Sequence, residues 1–142
     1  MNTENNAAAQ RQRLRQLAET YFEALRQQDF AAIPYADEAS LRAPLAPGGV
    51  NHPLHGKAAL QAQWWVPLVP ALAGVEINVL DCYFNEDLTA VCAEALITLN
   101  VMTPPLTLRV ADRFTVNAEG KIVEQENHFD PRDVTNPGWQ NG

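Results

Sequence analysis

Asp112 is a carboxyl residue that interrupts a row of apolar side chains. In residues 106–116 the even positions are Leu106, Leu108, Val110, Asp112, Phe114 and Val116. Because side chains alternate between the two faces of a strand, Asp112 is expected to point inward with its apolar neighbours. A buried carboxyl without a cation raises its pKa and tends to stay protonated, which makes it a hydrogen-bond donor. The pattern equally allows a bulge at Asp112 or an ion pair with an arginine.

Tyr21 is the polar member of an apolar stripe near the start of the chain. Leu14, Leu17, Tyr21 and Leu25 recur at steps of three and four, as on one face of an amphipathic helix. A buried tyrosine hydroxyl usually finds a partner, although plain core packing is the commoner reading of such a residue. If Tyr21 and Asp112 meet in one apolar pocket, both can donate to a carbonyl oxygen that gains negative charge.

The segments before residue 73 are predicted to be mainly helical. They comprise a disordered lead over 1–9, an amphipathic helix in 11–30 that Asp29 interrupts, a short helix around 30–35, an extended stretch over 40–46, a loop over 47–53 and a segment over 56–72 that is helical at least until Pro67. The long helices would carry Tyr21 and, on the later one, Trp64.

From Val75 onward the hydrophobic period changes to two. Four strands are predicted, over 75–84, 89–102, 106–116 and 121–129, with short turn sequences between them. Short connections favour an antiparallel meander. Helices followed by strands indicate an α+β fold, here a curved sheet wrapped around the first and third helices. We expect one domain over 10–132 and a C-terminal tail over 133–142.

The composition excludes several functional classes. The chain has 142 residues and a formal net charge of −7, which disfavours binding to nucleic acid and to anionic membranes. No apolar run approaches the roughly 18 residues of a membrane span, and no signal peptide is recognisable, so a cytoplasmic protein is expected. Cys82 and Cys92 are predicted to be reduced thiols, and no metal site or cofactor is expected.

Four segments together resemble the nuclear-transport-factor-2-like (NTF2-like) superfamily, in its SnoaL-like and ketosteroid isomerase-like branches. They are TYFEALRQQDFAAI, YADEASLRAP, HGKAAL and VADRFTVNAEGKIVEQ. The resemblance covers about residues 14–130 and implies a cone-shaped α+β barrel with an apolar pocket. It places Tyr21 and Asp112 as oxyanion-hole donors, and Trp64 and Phe129 as aromatic residues of the pocket. Val110, Phe114 and Asn127 are further expected ligand contacts.

The chain departs from this resemblance at the general base. The isomerases carry an aspartate where this sequence has Ala43, and the SnoaL-like cyclases that it resembles carry a carboxylate where it has Asn127. Neither alanine nor asparagine moves a proton. We expect the three histidines, His52, His55 and His128, to serve in loops or at the rim. An arginine two residues before an aspartate, as in limonene-epoxide hydrolases, is also absent, since Arg109 precedes Asp112 by three.

Three functional hypotheses follow. The chain could be an isomerase or cyclase that stabilises an enolate-like oxygen with Tyr21 and Asp112. It could instead be a ligand-binding or accessory protein that kept the pocket for a small apolar carbonyl or phenolic compound and lost the base. Thirdly, the outward residues Thr107, Arg109, Arg113 and Thr115 could belong to a homodimer interface formed by the sheet. The third hypothesis is compatible with either of the others.

Overall fold

The computed structural model describes residues 3–136 and 138–139. A long helix, α1 (Thr3–Gln27), and a 3₁₀ turn (Phe30–Ala32) open the chain. The strands are β1 (Tyr35–Arg42), β2 (Leu54–His55), β3 (Glu76–Phe84), β4 (Ala90–Leu99), β5 (Leu106–Val116) and β6 (Ile122–His128). The second helix lies between β2 and β3, and a helical turn (Arg132–Thr135) follows β6.

The strands form one six-stranded sheet in the order β2-β1-β6-β5-β4-β3. The predicted antiparallel meander corresponds to β3 through β6, and the α+β fold is confirmed. The sequence did not predict that β1 lies parallel to β6. The extended stretch was expected over 40–46, whereas β1 spans Tyr35–Arg42, because a register shift between Tyr35 and Ser40 obscures the period of two.

Helix α1 buries its predicted stripe against the sheet. Leu14, Tyr21 and Leu25 are each at most 3% exposed. Residues 3–9 are helical rather than the disordered lead that was predicted. Three consecutive alanines followed by Gln and Arg residues favour helix strongly enough to extend α1 outward, and Gln10 Nε2 donates to the Leu88 carbonyl at 3.0 Å.

The second helix continues past Pro67. It consists of four successive pieces, Lys57–Leu60, a π turn over Gln61–Trp65, Val66–Leu68, and a 3₁₀ turn over Val69–Leu72. Pro67 has no N–H to donate, and it lies directly after the π turn, where the helical hydrogen-bond pattern already changes. The π turn contains Trp64 and Trp65, both of which are buried.

The C-terminal helical turn crosses the boundary predicted between residues 132 and 133. Asp133 is only 7% exposed, and its Oδ1 accepts a hydrogen bond from Trp139 Nε1 at 2.9 Å. The Arg132 guanidinium lies 3.7 Å from the centre of the Trp139 ring. Residues 133–136 therefore pack with the domain, while residue 137 and residues 140–142 of the predicted tail lie outside the described residues.

Candidate functional site

A cavity of about 270 Å³ lies between the sheet, α1 and the second helix. Most of its wall is apolar and includes Trp64, Leu72, Ile97, Leu99, Val110 and Phe129. Its polar lining residues are Tyr21, Gln63, Asp112 and Asn127. The structure therefore places six of the seven predicted site residues on one cavity, the exception being Phe114.

Asp112 is held at the cavity by a regular part of the sheet. It is 3% exposed, and it pairs with Ala93 of β4 and Asn127 of β6 without a bulge. The register shift of β5 occurs later, between Thr115 and Val116. In the described part of the chain no cation pairs with Asp112, so both alternatives left open by the sequence are excluded.

Burial raises the pKa of Asp112 to about 8. The cause is desolvation, which disfavours the charged carboxylate. At pH 7 roughly nine in ten Asp112 carboxyls then carry a proton. Within residues 3–136 and 138–139, the carboxyl makes no hydrogen bond to a protein group, although it borders the cavity. It is a neutral acid with its hydrogen-bonding capacity available to a ligand.

The ring of Tyr21 is fixed by aromatic packing on two sides. Its centroid lies 5.2 Å from that of Phe22 in an edge-to-face contact and 4.8 Å from that of Phe114. Burial, and secondly the nearby Asp112 carboxyl, raise the pKa of Tyr21 well above its ordinary value. The same two causes raise the pKa of Tyr35. Tyr21 is therefore a neutral donor at all physiological pH values.

Gln125 joins these groups, and sequence reasoning missed it. It is 1% exposed, and its Oε1 accepts from the Tyr35 hydroxyl at 2.5 Å. Its Nε2 donates to the Tyr21 hydroxyl at 3.1 Å and to Asn127 Oδ1 at 2.9 Å. Because Gln125 lies two residues before Asn127 on β6, alternation would place the two side chains on the same, inward face. Gln125 has no titratable group and stands between two glutamates, so no local pattern in the sequence indicates its role.

Phe114 does not border the cavity, contrary to its prediction as a ligand contact. It is fully buried and packs against the Tyr21 ring. It lies on the inward face, as predicted, but it is the next inward residue beyond Asp112, in the direction away from the cavity wall. Its role in this structure is to support Tyr21.

Ala43, the residue at the position of the isomerases' general base, also lies at the cavity. Ala43 borders the cavity and is 4% exposed, so a methyl group stands where the resemblance would place a carboxylate. Tyr21 and Asp112 are the only titratable residues in the cavity lining formed by the described part of the chain. His52, His55 and His128 are exposed and do not contribute to it.

A second and larger hollow lies on the outside of the fold. It measures about 650 Å³ and runs as an open groove between the outer side of α1 and Ile77–Val79 of β3. Its walls carry Glu19, Glu23 and Arg26, and Arg26 donates to the Ile77 carbonyl at 2.9 Å. None of the predicted site residues borders this groove, and its size reflects open solvent rather than an enclosed pocket.

Residues 18–125 match the family model described as SnoaL-like domain. The chain belongs to the SnoaL-like family. This membership confirms the resemblance to the NTF2-like superfamily that the sequence motifs indicated. No curated protein is similar enough to this SnoaL-like chain to count as a match.

Solved structures share the fold of this SnoaL-like protein. The epoxide hydrolase/cyclase-like enzyme SalBIII, which has a role in pyran ring formation in the polyether salinomycin, superposes with a TM-score of 0.71 at 21% identity, covering 87% of this chain and 95% of SalBIII. A SnoaL-like protein of unknown function from Burkholderia thailandensis superposes with a TM-score of 0.67 at 16% sequence identity, covering 83% of this chain and 94% of that protein. A steroid delta-isomerase from Pseudomonas aeruginosa superposes with a TM-score of 0.60 at 17% sequence identity, covering 84% of this chain and 80% of the isomerase. At these identities the likeness concerns the fold alone.

Two further features of the described residues concern metal ions and membranes. No group of His, Cys, Asp and Glu side chains among them is arranged to hold a metal ion. None of the helices within residues 3–136 combines the length and the apolar character that crossing a bilayer requires.

Proposed function

We propose that this SnoaL-like protein binds a small apolar carbonyl or phenolic compound in the cavity, with its oxygen beside Tyr21 and Asp112. The observation that carries the proposal is the buried Asp112 carboxyl, which borders a mainly apolar cavity and has no protein partner among the described residues. Because the carboxyl faces the cavity and has no protein partner there, a ligand oxygen can hydrogen-bond with it directly.

The dimensions and walls of the cavity narrow the ligand. Pockets for small molecules usually measure about 300–1,000 Å³, and the volume of about 270 Å³ falls just below that range. A compound of one or two rings suits this volume. Trp64 and Phe129 supply aromatic walls, while the polar groups at one end orient a single oxygen.

An isomerase or cyclase is the second candidate function. It is favoured by the pairing of two neutral donors, since Tyr21 and Asp112 could stabilise an enolate-like oxygen. The fold neighbours SalBIII and the steroid delta-isomerase are consistent with such chemistry. It is disfavoured by Ala43, which cannot ionise. Besides Tyr21 and Asp112, the lining formed by the described residues has no titratable side chain that could take a proton from carbon. We therefore place ligand binding first.

The test uses α-tetralone, a two-ring apolar ketone with an exchangeable proton next to its carbonyl. Calorimetry should show binding to the parent protein, and Tyr21→Phe should weaken it about fivefold through the loss of one hydrogen bond. Tyr83→Phe makes the same change at a tyrosine that is 52% exposed, so it should leave the affinity unchanged. Equal affinities of all three proteins, or no binding, would contradict the proposal.

Exchange of the α-proton separates the two candidate functions. The ketone is incubated with the protein in heavy water and followed by proton NMR. A pocket that only binds should leave the exchange rate at its value in buffer, whereas an isomerase or cyclase should accelerate it. Acceleration that disappears in Asp112→Asn would replace the binding proposal by the enzymatic one.

Dimerisation through the outer face of the sheet stays a prediction. Thr107, Arg109 and Arg113 do lie on that face, and Thr107 Oγ1 is 2.9 Å from Thr98 Oγ1 of the neighbouring strand. Light scattering at micromolar concentration distinguishes a dimer from a monomer.

A further inference from the structure

We propose that Gln125 sets the direction of the hydrogen bonds at the polar end of the cavity and thereby selects a ligand oxygen that only accepts. Gln125 would act as a positioning residue, since it does not border the cavity itself. This inference rests on the proposed function and narrows its ligand from carbonyl or phenolic compounds to carbonyl compounds.

The orientation of the Gln125 amide follows from counting its hydrogen bonds. In the observed orientation Oε1 accepts from Tyr35, and the two hydrogens on Nε2 go to Tyr21 and Asn127. If the amide were reversed, Oε1 could accept from the latter two, but Nε2 would have only the Tyr35 oxygen for two hydrogens. One buried N–H would then be unpaired, which is unfavourable in a residue that is 1% exposed.

This orientation decides which groups remain for a ligand. The Tyr21 oxygen accepts from Gln125, so its own hydrogen is available to be donated elsewhere. Asn127 Oδ1 accepts from Gln125, and the Asn127 side chain also hydrogen-bonds with the Tyr21 hydroxyl, so what remains on Asn127 is one N–H of its amide. Tyr21 and Asn127 both border the cavity, and what each has left is a donor.

Asp112 adds a third donor when it is protonated. A ketone oxygen has two lone pairs and no hydrogen, so it can accept from these groups without presenting a donor of its own. An alcohol or a phenol brings a hydroxyl hydrogen into a site where donors outnumber acceptors, because the carbonyl oxygen of the protonated Asp112 carboxyl is the acceptor left to receive it. A site whose buried polar groups match one pattern rejects an analogue with the other pattern. The cavity should therefore favour a ketone over the corresponding alcohol.

The first test compares α-tetralone with α-tetralol, two probes of nearly the same shape. We expect the parent protein to bind the ketone roughly tenfold more tightly than the alcohol by calorimetry. Gln125→Glu removes both hydrogens on Nε2, and a buried carboxyl carries at most one hydrogen, so the Tyr21 oxygen and Asn127 Oδ1 can no longer both receive a donor and one of them turns an acceptor towards the cavity. The ratio of the two affinities should fall about tenfold. Gln61→Glu, at an exposed position of the second helix, should keep the parent ratio.

Tyr35→Phe provides a second variant that changes the fold less. It removes the donor that fixes Gln125, and Tyr35 does not border the cavity. We expect it to lower the ketone-to-alcohol ratio about threefold or more, because the amide can then reverse. A variant that merely loosened the fold would weaken both probes equally and leave the ratio unchanged. That result would overturn the inference.

The outcomes separate this inference from the proposed function. If the parent binds both probes equally, or if Gln125→Glu keeps the ketone preference, Gln125 does not set the selectivity, while the proposed binding of small apolar compounds stands. If neither probe binds, the proposed function fails and the selectivity inference fails with it. Without any ligand, NMR should show contacts from the Gln125 side-chain amide hydrogens to Tyr21 and Asn127. Contacts to Tyr35 instead would overturn the inference directly.

Discussion

The two faces of β5 treat charge in opposite ways at adjacent positions. Asp112 points inward, lacks a cation among the described residues and has its pKa raised to about 8 by burial. Arg113 points outward, and its Nη2 lies 3.1 Å from Glu126 Oε2 in a pair that is partly open to solvent. The strand backbone separates the two side chains, so Arg113, the nearest cation in the sequence, does not lower the pKa of Asp112. Orientation, rather than distance along the chain, decides which carboxyl is ionised.

The two faces also differ in what their charged groups contribute to the stability of the fold. The outer pair contributes little, since solvent screens it and two long side chains must be held in place. The inner carboxyl is a cost, because the unfolded chain would ionise it freely at neutral pH. A group that lowers stability and has no partner in the described part of the chain is better explained by what it does for a ligand than by the fold.

The largest effect should come from removing the inner carboxyl. The folded pKa of Asp112 is about 8 and the unfolded value is 3.8, so between these values the folded state holds more protons than the unfolded state. Its contribution to stability is therefore fully present below about pH 4 and is lost as pH rises through 8. Asp112→Asn should raise the free energy of unfolding at pH 8.5 by roughly 2–5 kcal/mol relative to its effect at pH 4.

Urea denaturation of the parent and the variant at the two pH values measures this difference. Asp87→Asn is the matched control, because it makes the same substitution at an exposed turn residue and should show no such pH dependence. A gain in Asp112→Asn that is the same at both pH values would mean that Asp112 is not protonated in the folded protein.

A smaller effect should appear in ligand affinity as a function of pH. The protonated fraction of a group with a pKa of 8 falls about tenfold between pH 7 and pH 9. The affinity for α-tetralone should fall towards that factor over the same range, because an ionised Asp112 repels the carbonyl oxygen. In Asp112→Asn the affinity should be independent of pH in this range. A parent profile as flat as that of the variant would count against Asp112 as a donor.

How far the sequence predicts this site depends on how local the signal is. Alternation along β5 is local, and it suffices by itself to assign Asp112 to the inward face. The helical stripe does the same for Tyr21. Their meeting at one cavity required the family resemblance, because parity assigns a face but no distance.

Other features depend on contacts that a local pattern does not contain. The parallel pairing of β1 with β6 joins residues 84 to 87 positions apart and is interrupted by a register shift. Gln125 acquires its role only through Tyr35 and Tyr21, which lie on other elements. Phe114 has the correct face but lies behind Tyr21 rather than on the cavity, which is a matter of depth that alternation does not encode.

The smallest effect should come from the outer face. Arg113→Gln removes the pair with Glu126 and should change the free energy of unfolding by about 1 kcal/mol or less. It should leave the α-tetralone affinity unchanged, because the side chain lies on the opposite face of the sheet. Urea denaturation and calorimetry measure the two quantities. A loss of several kcal/mol would show that the two faces are less different than the structure indicates.

The protonation state of Asp112 is the central claim, and a carboxyl titration tests it most directly. The side-chain carboxyl carbon of Asp112 is followed by ¹³C NMR from pH 4 to pH 10, with Asp112→Asn used to assign its signal. The structure predicts a midpoint near pH 8. A midpoint near pH 4, as for an exposed aspartate, would contradict the account of the cavity as a site built around a neutral acid.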